Sequence, residues 1–152
     1  AIARYHNIYG PYGTYDGGRE KAPAAMCRKL ATTPAGGAIS IWGTGQQTRS
    51  FLYIDDCIAG TLALMHSNYQ SPVNIGSEEM ITIDGLVQIV SSVAGKDITI
   101  EHIGGPVGVN GRNSDNRIIT RETGWIPQYD LHAGIAHTYE WIYEQCKSRE
   151  QI

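Results

Sequence analysis

The sequence lacks the features that mark several protein classes. Its 152 residues carry a net charge of −3, and 18% are charged, which leaves no strongly basic surface for nucleic acid. No apolar run reaches the roughly 18 residues that a membrane-spanning helix needs. The chain begins in a strand-like segment without an initiator Met or a signal-peptide pattern. We therefore expect no nucleic-acid or membrane partner, and a chain cut from a longer protein.

Cysteine and histidine are sparse and scattered. Cys27, Cys57 and Cys146 form no CxxC pair, and an odd number of cysteines favours a reducing compartment over a disulfide framework. His132 and His137 are five positions apart, which does not suit a metal pair on one helix face. These patterns predict a cytoplasmic protein without a metal site.

A glycine fingerprint for a dinucleotide is also missing. Gly43 and Gly45 follow a predicted strand, but Thr48 stands where a third glycine would be required. A second strand follows in place of a helix, so we interpret the segment as a hairpin turn. Tyr143 and Lys147 share one face of the last helix, where we expect a packed tyrosine and a solvated lysine.

Hydrophobic periodicity predicts one domain of mixed α/β structure. Strands are expected at residues 1–5, 39–42, 49–54, 73–75 and 98–103. Helices are expected at residues 24–31, from Asp55 through Met65, from Ile83 to Gly95, from Asp115 to Gly124, and at 131–147. Two long glycine-rich loops, residues 7–19 and 104–114, remain. Long loops in a compact domain are usually functional.

Four polar segments stand out along this framework. They are residues 4–11, 17–21, 47–51 with Asp55, and 111–116. Arg49 at a strand start and Arg112 in a glycine-rich loop could clamp a diphosphate, because guanidinium groups donate two hydrogen bonds to phosphate oxygens. Asn7 at a strand end could bind a sugar or a phosphate. Taken alone, each arginine would rather be interpreted as a surface residue, because arginine is mostly exposed.

The order of these segments resembles the extended short-chain dehydrogenase family of nucleotide-sugar enzymes. The matching motifs are Arg-x-x-Asn-x-Tyr-Gly-Pro (4–11), Gln-Thr-Arg-Ser-Phe (47–51), Pro-x-Asn-Ile-Gly (72–76) and Gly-Trp-x-Pro (124–127). The resemblance covers essentially the whole chain. It implies that residues 1–152 are a mixed α/β substrate-binding, carboxyl-terminal domain. Most of the Rossmann half, which would bind NAD, is then absent.

Two segments, residues 17–29 and 111–116, resemble the epimerases of this family that act on GDP-mannose. Decarboxylases and 4,6-dehydratases usually lack the Arg-Glu-Lys element found here at residues 19–21. The resemblance implies a GDP-sugar substrate and a homodimeric full-length enzyme. It also implies that the residues touching the substrate are Asn7, Glu20, Lys29, Gln47, Thr48, Arg49 and Arg112.

The same resemblance implies a mechanism in which Lys21 exchanges protons with carbon. In such enzymes NAD oxidises C4 of the sugar, a base and an acid invert C3 and C5, and the ketone is reduced again. A lysine in a mostly dry pocket near other cations has a lowered pKa, which suits the acid role. The partner base, a cysteine in the family, lies outside this sequence, so we expect the isolated chain to be inactive.

Three alternatives remain open at this point. The chain could belong to a decarboxylase or a 4,6-dehydratase of the same family. It could be a sugar-nucleotide binding module without catalysis, or a structural protein without a ligand. Without the resemblance, Lys21 would simply be a solvated lysine at a helix start.

Overall fold

Helices and short strands alternate in the computed structural model, which describes residues 1–106, 108–150 and 152. The helices are α1 (Ala22–Thr32), α2 (Ile54–Met65), α3 (Ile83–Ala94), α4 (Arg117–Thr123) and α5 (Leu131–Ser148). The strands are β1 (Ile2–Tyr5), β2 (Ile8–Tyr9), β3 (Ala38–Trp42), β4 (Thr48–Arg49), β5 (Leu52–Tyr53), β6 (Pro72–Ile75), β7 (Ile81–Thr82), β8 (Thr99–Ile103) and β9 (Gly111–Arg112). The predicted mixed α/β class is confirmed. Val107, in the second predicted loop, lies outside the described residues.

Most strand pairs are parallel and join segments that are distant in sequence. Strand β1 pairs with β6, β2 with β5, and β3 with β8, all parallel. Strand β4 lies between antiparallel β7 and parallel β9. Because β3 and β4 belong to different sheets, the segment at Gly43 and Gly45 is a turn but not a hairpin, and that prediction was wrong. Local turn chemistry does not reveal which strand a segment pairs with.

The predicted strand 49–54 is also divided, because the chain changes hydrogen-bonding partners in the middle. The Ser50 N–H donates to the Arg112 carbonyl at 3.2 Å, whereas the Leu52 N–H donates to the Asn7 carbonyl at 3.1 Å. As a result β4 and β5 belong to different sheets. Asp55 therefore lies in the first turn of α2, and Tyr53 occupies the N-cap position where Asp55 was predicted.

The N-cap of helix α4 lies one residue after Asp115, the position where it was predicted. Asn116 holds the N-cap position, and its side chain makes no capping hydrogen bond. The preceding Asp115 carboxylate accepts the Arg117 N–H at 3.1 Å. It therefore satisfies one of the free N–H groups of the first turn from just outside the helix.

The larger core lies where α1, α3 and α5 pack together. Leu30, Val87 and Ile135 are fully buried there. Each such side chain contributes about 1.5–3 kcal/mol through burial. A second cluster, with Ile75 of β6 and Ile119 of α4, packs under α2. The first core fixes the axis of α1 and thereby the position of the N-cap residue, Lys21, that directly precedes it.

The two ends of α1 are held by different groups. Pro23 lies in the first turn, where a missing N–H costs little. At the other end the Lys96 ammonium donates to the carbonyls of Leu30, Ala31 and Thr33 at 2.8, 3.1 and 2.9 Å. These are carbonyls that the end of a helix otherwise leaves without an intrahelical donor.

Helix α2 buries a different face from the one its apolar spacing indicated. Ile58, Leu62 and Met65, which predicted the helix, are 50%, 47% and 71% exposed. The buried face instead includes Cys57 and Asp56, whose carboxylate accepts two backbone N–H groups of the segment before α5. None of the described helices combines the length and apolarity needed to cross a membrane.

Candidate functional site

Several predicted site residues meet in a small cavity beside the amino terminus of α1. The cavity has a volume of about 250 Å³. It is lined by Asn7, Lys21, Ala22, Gln47, Arg49, Phe51 and Ile83. Four of the residues predicted from sequence therefore converge, although they come from three separate segments.

A second cavity of about 470 Å³ shares Ala22, Gln47 and Ile83 with the first. Glu20 and Lys29, both predicted, line it. The rest of its wall is largely apolar and comes from α1, β3 and Pro106. The sequence analysis missed this apolar wall. The sequence pointed to this wall through Trp42, an aromatic residue at the end of a short predicted strand. In the structure Trp42 is 57% exposed.

Asn7 is held in place by its backbone conformation and by its amide. Its φ is 48°, in the left-handed region that asparagine tolerates better than most residues. The side-chain Nδ2 donates to the Ser50 carbonyl at 3.0 Å. That bond does not use the amide oxygen, which remains an acceptor on the cavity wall.

Arg49 and Arg112 are direct neighbours on adjacent strands. They pair in the parallel register of β4 and β9, so both side chains project from the same side of the sheet. Arg49 donates from Nη1 to the Thr48 carbonyl at 2.7 Å. Within the described ranges, neither arginine forms a salt bridge with a carboxylate. The geometry leaves two cationic groups available for an anion.

Thr48 and Arg112 lie outside the lining of both cavities. The Thr48 hydroxyl lies so close to Gly111 that a Cβ there would approach it to 2.9 Å. Arg112 is exposed beside His6. Burial and the positive charge of Arg112 both lower the pKa of His6, in that order. The His6 Nδ1 is buried and has no partner among the described residues.

Glu20 and Lys29 form the charged part of the larger cavity. The Glu20 side chain is only 10% exposed, and its Oε2 has no hydrogen-bond partner within the described chain. The Lys29 ammonium donates to the Ser40 carbonyl at 2.7 Å. Burial lowers the pKa of Lys29, and the charge of Arg28 adds to this, whereas Glu20 opposes it.

Lys21 occupies the N-cap position of α1. Its backbone is extended, with φ −75° and ψ 159°, and its carbonyl accepts the Ala25 N–H at 2.9 Å. The side chain is exposed and lines the smaller cavity. The Lys21 side chain is exposed, so the described residues do not form the mostly dry pocket that was expected around it.

The cysteines do not contribute to this site. Cys27 is fully buried in the core, and burial raises the pKa of its thiol. Cys57 and Cys146 are also buried and unpaired. No group of three or more His, Cys, Asp or Glu side chains that could hold a metal ion occurs in the part of the chain that the structure describes.

Tyr143 and Lys147 lie on α5. The Tyr143 ring stacks on Tyr139 at a centroid distance of 6.0 Å, and Lys147 is exposed. The solvated lysine is as predicted, whereas Tyr143 is 36% exposed and is packed on one side only, against Tyr139.

The glycine turn does not fit a dinucleotide. A Cβ at Gly45 would lie 1.8 Å from Oδ1 of Asp84, so this turn is filled by a carboxylate, which would repel a phosphate. The turn also leads into β4 and not into a helix. This turn therefore does not fit the diphosphate of a dinucleotide.

Comparison with known proteins gives these features a family context. The model of the NAD dependent epimerase/dehydratase family matches residues 1–76. GDP-mannose 3,5-epimerase of Arabidopsis thaliana is 50% identical over 149 residues, which cover 98% of this chain and 39% of that protein. The chain thus spans about two fifths of the length of this relative, and the match lies in its carboxyl-terminal part.

Solved structures show the same fold. UDP-glucuronic acid 4-epimerase from Bacillus cereus, in complex with UDP-glucuronic acid and NAD, is 28% identical with a TM-score of 0.80. The match covers 95% of this chain and 45% of that one. UDP-glucose 4-epimerase from Thermotoga maritima, solved with UDP-glucose, has a TM-score of 0.85 at 23% identity, with 95% and 46% covered.

Proposed function

This chain belongs to the NAD dependent epimerase/dehydratase family, and we propose that it is the nucleotide-sugar binding part of an epimerase that inverts GDP-mannose at C3 and C5. Residues 1–152 then act as one substrate-binding domain. The relative that is 50% identical, a GDP-mannose 3,5-epimerase, supports the choice of sugar nucleotide. Under this proposal the enzyme works in the cytoplasm as a homodimer.

The observation that carries the proposal is the convergence of Asn7, Lys21, Gln47 and Arg49 on one cavity. A cation at the end of a short strand, two amides and a lysine at a helix start can together bind a phosphorylated sugar. Arg112 lies next to Arg49 in the strand register and adds a second guanidinium. Such paired guanidinium groups suit the two phosphates of a GDP-sugar.

The two cavities divide the proposed substrate by chemistry. The diphosphate lies against Arg49 and Arg112, because its charge requires cationic donors. The sugar lies beside Lys21 and Asn7, where an ammonium and an amide can reach hydroxyl groups and carbon-bound hydrogens. The larger cavity, with its apolar wall and with Glu20 and Lys29, takes the nucleoside end.

Lys21 then serves as one member of an acid/base pair. Inversion of a carbon centre needs proton removal on one face and proton delivery on the other, so one group cannot do both. The Lys21 side chain at the start of α1 can deliver a proton as the ammonium, or accept one as the neutral amine, on the face that it occupies. Because the glycine turn that resembles a fingerprint does not fit a dinucleotide, we assign this chain substrate binding and proton transfer and no hydride step.

A chimera tests the proposal directly. In it, residues 1–152 replace the matched part of the Arabidopsis epimerase, so that the rest of a family member is present. In deuterated water we expect the chimera to turn over GDP-mannose and to place deuterium at C3 and C5. UDP-glucuronic acid serves as the control nucleotide sugar and should not react. A folded chimera that holds NAD but leaves C3 and C5 unlabelled would contradict the proposal.

A further inference from the structure

Arg28 connects two parts of the loop that precedes α1. Its Nε donates to the Tyr15 carbonyl at 3.1 Å, and its Nη2 lies 3.5 Å from Oε1 of Glu20. The same guanidinium is 3.5 Å from the Asp16 carboxylate. The Arg28 side chain is only 28% exposed, so solvent screens these contacts less than those of a surface pair. One planar group thus joins three points of the loop.

The Tyr15 end of this link is fixed independently. The Tyr15 side chain is buried, and its ring meets Trp141 of α5 edge-on at a centroid distance of 5.4 Å. The Arg149 guanidinium covers the same ring at 5.1 Å. Aromatic and cation–π contacts of this kind hold a ring in one orientation. The Tyr15 carbonyl is therefore a stable anchor for Arg28.

The Glu20 end of the link is incomplete. Arg28 holds Oε1, while Oε2 is buried and has no hydrogen-bond donor among the described residues, in a side chain that lines the larger cavity. A buried carboxylate oxygen without a donor is costly, so the site favours a ligand that supplies an N–H or O–H group there. Which way Oε2 points depends on how Arg28 holds its partner oxygen.

We propose that Arg28 is a positioning residue that orients Glu20 toward the bound nucleotide sugar, a role that rests on the proposed function. Arg28 itself lines neither of the two cavities, so it acts on the ligand through Glu20. The planar fork of arginine can hold the Tyr15 carbonyl and the Glu20 carboxylate together. The single ammonium of lysine cannot bridge both in the same geometry.

A double-mutant cycle in the chimera tests this coupling, with calorimetric titration of GDP-mannose as the measurement. We expect Arg28→Met to weaken binding about tenfold, consistent with one lost charge-assisted contact in a half-exposed setting. In the Glu20→Gln background the same change should matter less than about twofold, because the partner is already altered. Arg28→Lys should bind as weakly as Arg28→Met.

The cycle has a matched control. Arg121→Met also removes an arginine next to a carboxylate, but Arg121 lies on α4 at 69% side-chain exposure, away from both cavities. It should leave the affinity unchanged. Equal losses from Arg28→Met in both backgrounds would mean that Arg28 does not act through Glu20. Full binding by Arg28→Lys would show that charge alone suffices. Either result overturns the proposal.

A measurement without ligand separates this inference from the proposed function. Amide hydrogen exchange of the chain should be faster at residues 15–20 in Arg28→Met than in the wild-type or Arg121→Met chain. Unchanged exchange in that segment overturns the positioning role. If the wild-type chimera instead binds no GDP-mannose while exchange responds as expected, the proposed function fails and the link between Arg28 and the loop stands.

Discussion

Removing either guanidinium of the proposed diphosphate clamp should weaken binding by a measurable and unequal amount. Arg49 and Arg112 face each other across a strand spacing of about 4.8 Å, so both reach the same diphosphate. A charge-assisted hydrogen bond contributes about 1.5–3 kcal/mol, which is about 10- to 150-fold in Kd. Arg49 is half-buried and already oriented by the Thr48 carbonyl, whereas Arg112 is exposed. We therefore expect Arg49→Ala to fall at the upper end of this range and Arg112→Ala at the lower end.

The assay is calorimetric titration of the chimera with GDP-mannose and, separately, with NAD. NAD affinity should stay unchanged in both variants, because the proposed clamp binds the diphosphate of the sugar nucleotide. The double variant should lose less than the sum of the two single losses, since both groups serve one diphosphate. Raising the salt concentration should weaken the wild type more than the double variant, because screening acts on the charges that the variant lacks.

Arg121→Ala is the control, since this arginine is exposed on α4 and pairs with Glu122. If GDP-mannose binds the Arg49→Ala and Arg112→Ala variants as tightly as the wild type, these two neighbouring arginines are surface residues and do not clamp a diphosphate. An equal loss in Arg121→Ala would show a general charge effect, and the local argument would fail as well.

Four further outcomes follow from the same contacts. Lys21→Met in the chimera should slow inversion at C3 and C5 by about 10²–10⁴-fold while GDP-mannose still binds; normal deuterium incorporation would remove Lys21 from the mechanism. Lys96→Met should lower the free energy of unfolding of the chain by about 2 kcal/mol in urea titration, because two carbonyls of α1 and that of its C-cap, Thr33, lose their donor; no change in the midpoint would count against that cap. The pKa of His6, which is lowered in the free protein, should rise when an anionic ligand binds near Arg112. Affinity for the ligand should therefore be greatest below the pKa of His6 in the free protein, and should fall as pH rises through the pKa of His6 in the complex. An NMR titration of the imidazole with and without GDP-mannose checks this. The isolated chain should show no calorimetric binding of NAD, because it lacks a glycine fingerprint. A micromolar dissociation constant for NAD would contradict this.

Elements whose cause is local were predictable from the sequence. The helix from Ile83 ends at Gly95 because that residue adopts φ 61°, which glycine tolerates best. Pro23 marked the start of α1 for a similarly local reason. Pairing was not predictable, because the partner of β3 is β8, more than fifty residues downstream. The exposed stripe on α2 shows the same limit, since periodicity reports an apolar face but not what packs against it.

The candidate site was predictable as a set of residues but not as an arrangement. Lys21, Gln47 and Arg49 belong to motifs that can be identified in the sequence, and the structure brings them to one cavity. The links that hold them come from residues without a motif. Arg28 is one of these, since its role depends on a loop that folds back to place Tyr15 and Glu20 on either side of one guanidinium.

Under the proposed function, the groups that would bind the substrate differ from the group that would react with it in how they are held. The binding groups are anchored, with Asn7 bonded to Ser50 and Lys29 bonded to β3. Lys21 is different, because its backbone starts a rigid helix while its ammonium remains exposed. A side chain that transfers protons needs a fixed backbone position and a terminal group that can move, since it must approach carbon and then exchange its proton with solvent. An ammonium buried in a salt bridge would be held away from both tasks. Under the proposed function, the rigid start of α1 fixes where Lys21 meets the sugar, while its exposed ammonium can exchange its proton with solvent.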